Sequence, residues 1–115
     1  MRLILPPVPA KLRRCVIGQI VESANPADLG QDMVDILLPS GVLIHAGWYP
    51  ESSPNGAYRI TVARGLSYLV SPLTTPDADE AAQDVAELAT RFAEFPYADG
   101  VCDAETTYDD FAVFA

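Results

Sequence analysis

The fold of this chain is constrained most by two turn motifs of the form x-Pro-x-Gly-x, LPSGV at residues 38–42 and SPNGA at residues 53–57. In such a motif the proline presets φ for the first corner of a type I turn, and the glycine takes the left-handed conformation that a following bulge requires. The segments around the motifs, DMVDILL, VLIHAGWY and AYRITVA, are rich in β-branched and apolar residues, as strands are. The sequence therefore predicts two successive hairpins, which form an antiparallel β-meander.

The turn geometry also predicts which residues face each other. Val34 should face Ala46 across the first turn, and Trp48 should face Val62 across the second. One face of the sheet, called the inner face below, then carries only apolar and aromatic side chains: Val34, Ile36, Leu38, Val42, Ile44, Ala46, Trp48, Tyr58, Ile60 and Val62. Because a slip of one residue would exchange the two faces of a strand, this uniform composition supports the register. The opposite, outer face should carry Met33, Asp35, Leu37, Leu43, His45, Tyr49, Glu51, Arg59 and Thr61, with Asp35 opposite His45 and Glu51 opposite Arg59.

Two further strands and one helix complete the predicted domain. RRCVIGQIVES (residues 13–23) predicts a first strand and LSYLVS (66–71) a short last one. Thr75, as the N-cap, and Pro76, at the first helical position, predict the start of a helix over residues 76–95, which Pro96 ends. Its apolar residues recur at intervals of three and four and form one stripe: Ala78, Ala81, Val85, Leu88, Phe92 and Phe95.

The predicted fold class is therefore α+β, an antiparallel β-meander of four to five strands with one amphipathic helix packed across one face. The 115 residues suit a single domain. We divide it into an extended N-terminal arm (1–12), the meander (13–71), the helix (76–95) and an acidic–aromatic tail (97–115).

The charge of the chain is unevenly distributed and indicates the kind of partner. The net charge is −9, four of the seven basic residues lie in the first 14 positions, and all 16 acidic residues follow them. Such a surface repels phosphate backbones, which disfavours nucleic acid as a partner. A basic protein is the natural complement, although solubility alone would account for the same charge.

The composition also limits cofactors and location. Structural zinc requires about four Cys or His ligands, and this chain has three, at positions 15, 45 and 102, so we expect no metal and no cofactor. No apolar run approaches the roughly 18 residues that a membrane span needs. The N-terminal segment carries Lys11, Arg13 and Arg14 where a signal peptide would have its cleavage site, which favours a cytoplasmic protein with reduced thiols.

His45 with Asp35 is the one pair that resembles an acid–base constellation, because a neighbouring carboxylate orients an imidazole. No nucleophile motif accompanies the pair, so a cross-strand surface pair is the favoured interpretation. The same reasoning makes Trp48 a core residue rather than a ligand-binding one.

The outer face is half apolar, which is unusual for a sheet face in water. We expect something to cover it: the N-terminal arm, the tail with Phe111 and Phe114, curling of the strands, or a second subunit. The leading hypothesis is a small non-catalytic bacterial protein that binds another protein, either itself in a homodimer or a basic partner; an inhibitor or immunity-type role would fit the charge. The predicted binding residues are Leu43, Tyr49, Asp84, Glu87, Phe111 and Phe114. The alternative is a small enzyme or ligand-binding domain that uses His45 and Asp35.

Overall fold

The computed structural model describes residues 1–94, and it has the predicted α+β fold, with an antiparallel sheet covered on one face by one helix. The eight strands are β1 (Arg2–Ile4), β2 (Val16–Gly18), β3 (Ile20–Glu22), β4 (Val34–Leu37), β5 (Leu43–Tyr49), β6 (Ala57–Arg64), β7 (Ser67–Tyr68) and β8 (Leu73–Thr75). The helix α1 spans Ala78–Phe92, and two short 3₁₀ helices span Ala10–Cys15 and Pro26–Asp28. Phe95, Pro96 and the predicted tail lie outside the described residues.

The strands form one large and one small sheet. The large sheet has the order β2-β4-β5-β6-β7, and β8 also pairs with β6, so the consecutive strands from β4 to β7 are the predicted meander. The small sheet pairs β1 with β3. The predicted first strand, residues 13–23, is therefore divided: its beginning belongs to a 3₁₀ helix, and the rest is split at Gly18 between the two sheets. Gly18 has φ of 89°, and a Cβ there would lie 2.1 Å from the carbonyl oxygen of Met33, so this position requires glycine.

The register of the first hairpin is confirmed, whereas that of the second is wrong. Val34 faces Ala46 and Asp35 faces His45, as predicted. Trp48, however, faces Tyr58 rather than Val62, a shift of four residues. The reason lies in the connection, which contains two consecutive turns, closed by hydrogen bonds from Ser53 N to Pro50 O and from Gly56 N to Ser53 O.

The same shift separates Glu51 from Arg59, which faces Gly47. Because four is an even number, each side chain keeps its predicted face. All ten residues of the predicted inner face are buried. The composition of the inner face was therefore predicted correctly although the pairing of β5 with β6 was not.

The helix packs on the inner face with the predicted stripe. Its buried residues include the five described members of that stripe and three more alanines: Ala78, Ala81, Val85, Leu88 and Phe92, with Ala82, Ala86 and Ala89. Its predicted start is wrong, because Thr75 lies in β8, opposite Tyr58. The N-cap is Asp77, whose carboxylate accepts from the backbone N–H groups of residues 79 and 80. Among residues 1–94 no helix is long and apolar enough to span a bilayer.

The N-terminal residues pack against the rest of the described structure. Arg2 donates hydrogen bonds to Glu22 on β3 and to Asp79 on α1, at 2.7 and 2.9 Å. Val8 and Leu12 are buried in the hydrophobic core. Residues of the predicted extended arm (1–12) therefore contribute to the hydrophobic core.

Candidate functional site

The predicted pair of His45 and Asp35 lies on the outer face, and the structure surrounds His45 with oxygen atoms. His45 Nδ1 lies 2.7 Å from Asp35 Oδ1, and Nε2 lies 3.0 Å from the carbonyl oxygen of Gln31. The Tyr49 hydroxyl is 3.4 Å from Nε2, and Asp32 Oδ1 is 3.7 Å away. A carbonyl oxygen only accepts hydrogen bonds, so Nε2 is the donor to Gln31.

A backbone bulge places Gln31 above the sheet. Met33 N donates to Ala46 O and Trp48 N donates to Gly30 O, so the residues between these two bonds leave the ladder and arch over the outer face. They arch over Gly47, where a Cβ would lie 1.7 Å from Gln31 O. A glycine inside a predicted strand is the sequence signal for such a close approach.

The bulge also corrects the placement of Met33. Met33 is predicted on the outer face, but this side chain is buried in the core. Its sulfur lies 3.5 Å from the backbone N of Val21 and accepts from it. Because β4 begins only at Val34, the alternation of inner and outer side chains does not extend back to Met33.

This geometry holds the imidazole in place. Both ring nitrogens contact oxygen atoms of the chain, and only 19 % of the side chain is exposed. None of the five clefts described along residues 1–94 is lined by His45 or Asp35. No group of three or more His, Cys, Asp or Glu side chains in that part of the chain is arranged to hold a metal ion. The contacts of His45 therefore fasten the bulge to the sheet.

The outer face carries a row of apolar side chains that crosses four neighbouring strands. Leu37 on β4 faces Leu43 on β5, which faces Ala63 on β6, which in turn faces Tyr68 on β7. The exposed fractions are 61 % for Leu37, 38 % for Leu43 and 56 % for Tyr68. Ile17 on β2, which faces Asp35 on β4, extends this surface and is 71 % exposed. We call these five residues the apolar row.

The other predicted binding residues are distributed over two sides of the molecule. Tyr49 is on the outer face but half-buried, with the Arg59 guanidinium 5.5 Å from the centre of its ring. Asp84 and Glu87 lie on the opposite side, on the solvent side of α1. The structure does not bring the acidic helix residues together with Leu43 and Tyr49. Phe111 and Phe114 lie outside the described residues.

The acidic side of the helix concentrates like charges. Glu80, Asp84 and Glu87 follow each other at intervals of four and three residues, which places them side by side on a helix. Partial burial raises the pKa of Asp84, and the neighbouring carboxylates of Glu80 and Glu87 raise it further. A cation placed near these carboxylates would relieve their repulsion.

A cleft that the sequence did not predict lies near the N-terminus. It has a volume of about 470 Å³ and is lined by Leu5, Pro6, Pro7, Val8, Arg13, Val16, Gly18 and Gln19. The cleft exists because residues 5–8, which belong to the predicted extended arm, pack beside β2. The available signal was the density of basic residues at positions 11–14.

Comparisons of the chain with protein-family models, with curated proteins and with solved structures find no match. Function is therefore inferred from the contacts, burial and charge of the described residues.

Proposed function

We propose that this chain is a non-catalytic protein-interaction domain that self-associates through the outer face of its sheet. The observation that carries the proposal is the apolar row, to which each of the five neighbouring strands in the order β2-β4-β5-β6-β7 contributes one residue of the outer face. Contiguous exposed apolar surface of this kind is uncommon on monomers and marks interaction sites. Cross-strand neighbours lie about 5 Å apart, so the side chains form one surface and not isolated contacts.

The distribution of charge supports contact between two copies. A chain with a net charge of −9 repels its own copies unless the acidic groups are kept away from the contact. The acidic side of α1 lies on the opposite side of the sheet from the apolar row. On the outer face, the carboxylates of Asp35 and Asp32 lie 2.7 and 3.7 Å from His45, and Arg59 lies over Tyr49. Two copies meeting at their outer faces would therefore place their acidic helices farthest apart.

Analytical ultracentrifugation over a range of protein concentrations tests this proposal. The unmodified chain is expected to sediment as a dimer, and Leu37→Glu is expected to sediment as a monomer because it places a charge in the buried contact. Leu3→Glu is the matched control, since Leu3 is 53 % exposed on β1, outside the large sheet, and its replacement should leave the dimer intact. A monomeric unmodified chain, or equal effects of both variants, would rule out self-association through this face.

A second candidate, binding of a basic protein partner, is favoured by the crowded carboxylates of Glu80, Asp84 and Glu87. A basic surface would relieve the repulsion that contributes to the raised pKa of Asp84. Inhibition of a basic enzyme would be one such role. Such an encounter is steered by exposed charge and weakens as salt screens it over about 8 Å at physiological ionic strength.

Capture from a host lysate at low and high salt, followed by association rates of the captured protein, tests the second candidate. Asp84→Lys with Glu87→Lys should slow association steeply, whereas His45→Ala should not, because His45 lies on the other side of the sheet. Loss of binding in His45→Ala with normal binding in the double variant would instead favour a site at His45.

A further inference from the structure

We infer that residues 108–114 of this chain, YDDFAVF, dock in the cleft between residues 5–8 and the free edge of β2. The cleft shares β2 with Ile17, one member of the apolar row, but none of the five residues of the row lines it. The inference does not depend on the proposed function.

The cleft lies where a strand pairing stops. β1 pairs with β3 as far as the pair of Ile4 and Ile20. If this pairing continued, the residues that follow Ile4 would pair with β2. Pro6 and Pro7 follow instead, and proline has no N–H to donate to a ladder. Among the described strands β2 pairs only with β4, so its other edge faces the cleft without a strand partner. An unpaired edge is a template for a further extended segment.

The backbone of β2 offers a donor to such a segment. Gln19 N donates to Met33 O on the side of β4. In an antiparallel ladder successive residues direct their backbone groups alternately to the two edges, so the N–H of Gly18 points toward the cleft. Gly18 is exposed in the described structure and lines the cleft.

The charge around the cleft is complementary to residues 95–115. Lys11, Arg13 and Arg14 lie within the 3₁₀ helix that precedes β2, and Arg13 lines the cleft. Residues 95–115 contain five acidic residues and no Lys or Arg, and two of the acids, Asp109 and Asp110, directly precede Phe111. Docking of the segment would place these carboxylates beside the basic helix.

The segment also begins close to the cleft. Glu94 Oε2 lies 3.7 Å from Lys11 Nζ, so the chain leaves the described structure beside the same 3₁₀ helix. The fourteen residues from 95 to 108 reach up to about 46 Å when extended, which is ample for a path around that helix. The alternation in FAVF then places Phe111 and Val113 on one side of an extended strand, where they can contact the apolar side chains of Leu5, Val8 and Val16.

Hydrogen exchange of single backbone amides, followed by NMR on the full chain, tests the inference. In a chain that carries Phe111→Asp and Val113→Asp, the Gly18 amide should exchange at least about tenfold faster than in the unmodified chain, because docking closes it to solvent. Val101→Asp is the control, since it adds a negative charge to the same 95–115 stretch outside the docking segment. Unchanged exchange at Gly18, or a change at Leu43 and Tyr68 instead, overturns the inference.

Charge reversal gives a second, independent readout. Arg13→Glu should accelerate exchange at Gly18, and Asp110→Arg in the same chain should restore slow exchange. Absence of this rescue overturns the docked arrangement. If the protection of Gly18 increases with protein concentration, the segment comes from a second copy, and docking within one chain is wrong.

Discussion

Gly47 is the position at which one methyl group should have the largest effect on the outer face. A Cβ at Gly47 would lie 1.7 Å from Gln31 O, whereas ordinary van der Waals contact begins at 3.4 Å. The bulge would have to move away from the sheet by about 1.7 Å, which is the difference between these two distances. The atoms in the way belong to the backbone, so no side-chain rotation can relieve the clash.

The cost of Gly47→Ala follows from the contacts that this movement breaks. Overpacking costs about 1–3 kcal/mol. Two hydrogen bonds also weaken, Trp48 N to Gly30 O at 2.8 Å and His45 Nε2 to Gln31 O at 3.0 Å. Each contributes about 1 kcal/mol, and the lower entropy of the unfolded alanine chain returns about 0.4–1 kcal/mol. We expect Gly47→Ala to destabilise the fold by about 2–4 kcal/mol.

Gly30→Ala is the matched control, because Gly30 is the other glycine at this bulge and its carbonyl oxygen accepts the hydrogen bond from Trp48 N. Neither glycine has a positive φ, and a Cβ at Gly30 would meet only Glu51 Oε2, at 3.9 Å. Its effect on stability should be within about 0.5 kcal/mol of zero or slightly favourable. Urea denaturation of both variants checks the difference. Equal stability of the two would show that the bulge does not press on the sheet at Gly47.

Three further outcomes are expected. Leu88→Ala should cost about 2–5 kcal/mol in chemical denaturation and Glu87→Ala less than about 0.5 kcal/mol, and similar losses at both would contradict the orientation of α1. Burial raises the pKa of Tyr58 above its usual 10.0, so the stability due to its neutral hydroxyl is present below that pH and lost as the pH rises through the folded-state pKa. Denaturation at increasing alkaline pH should therefore show a smaller decline for Tyr58→Phe, and equal slopes would count against this linkage. The pKa of Asp84 is also raised, so the stability due to its protonated carboxyl is lost as the pH rises from below 3.8. Asp84→Asn should therefore lose less stability over this rise. A pH profile of unfolding identical to that of the unmodified chain would refute this expectation.

Local sequence patterns predict the composition of each layer correctly. Alternation along β4 to β6 identified ten residues of the inner face that are all buried, and spacing of three and four identified the buried stripe of α1. The motif at residues 38–42 also predicted the first hairpin and the pairing of Asp35 with His45. These features depend on residues that are close together in the sequence. They also depend on whether apolar residues recur with a period of two, as in a strand, or near 3.6, as in a helix, and this period can be read directly from the sequence.

Other features required contacts between distant segments. Alternation cannot distinguish registers that differ by an even number of residues, so the position of Trp48 opposite Tyr58 depended on how the chain between Pro50 and Gly56 folds. The composition of residues 1–12 did not show that Arg2 would bridge β3 and α1, because its two carboxylate partners lie 20 and 77 residues away.

The candidate surfaces show the same division. The sequence indicated a half-apolar outer face, and only the pairing of four strands showed that Leu37, Leu43, Ala63 and Tyr68 form a row. The sequence likewise identified His45 and Asp35 as partners, but the role of His45 depends on Gln31, which reaches it only because Gly47 leaves room for the bulge. Which residues are apolar, charged or able to turn is a property of the sequence, whereas the neighbours that each acquires across the sheet follow from close packing in three dimensions.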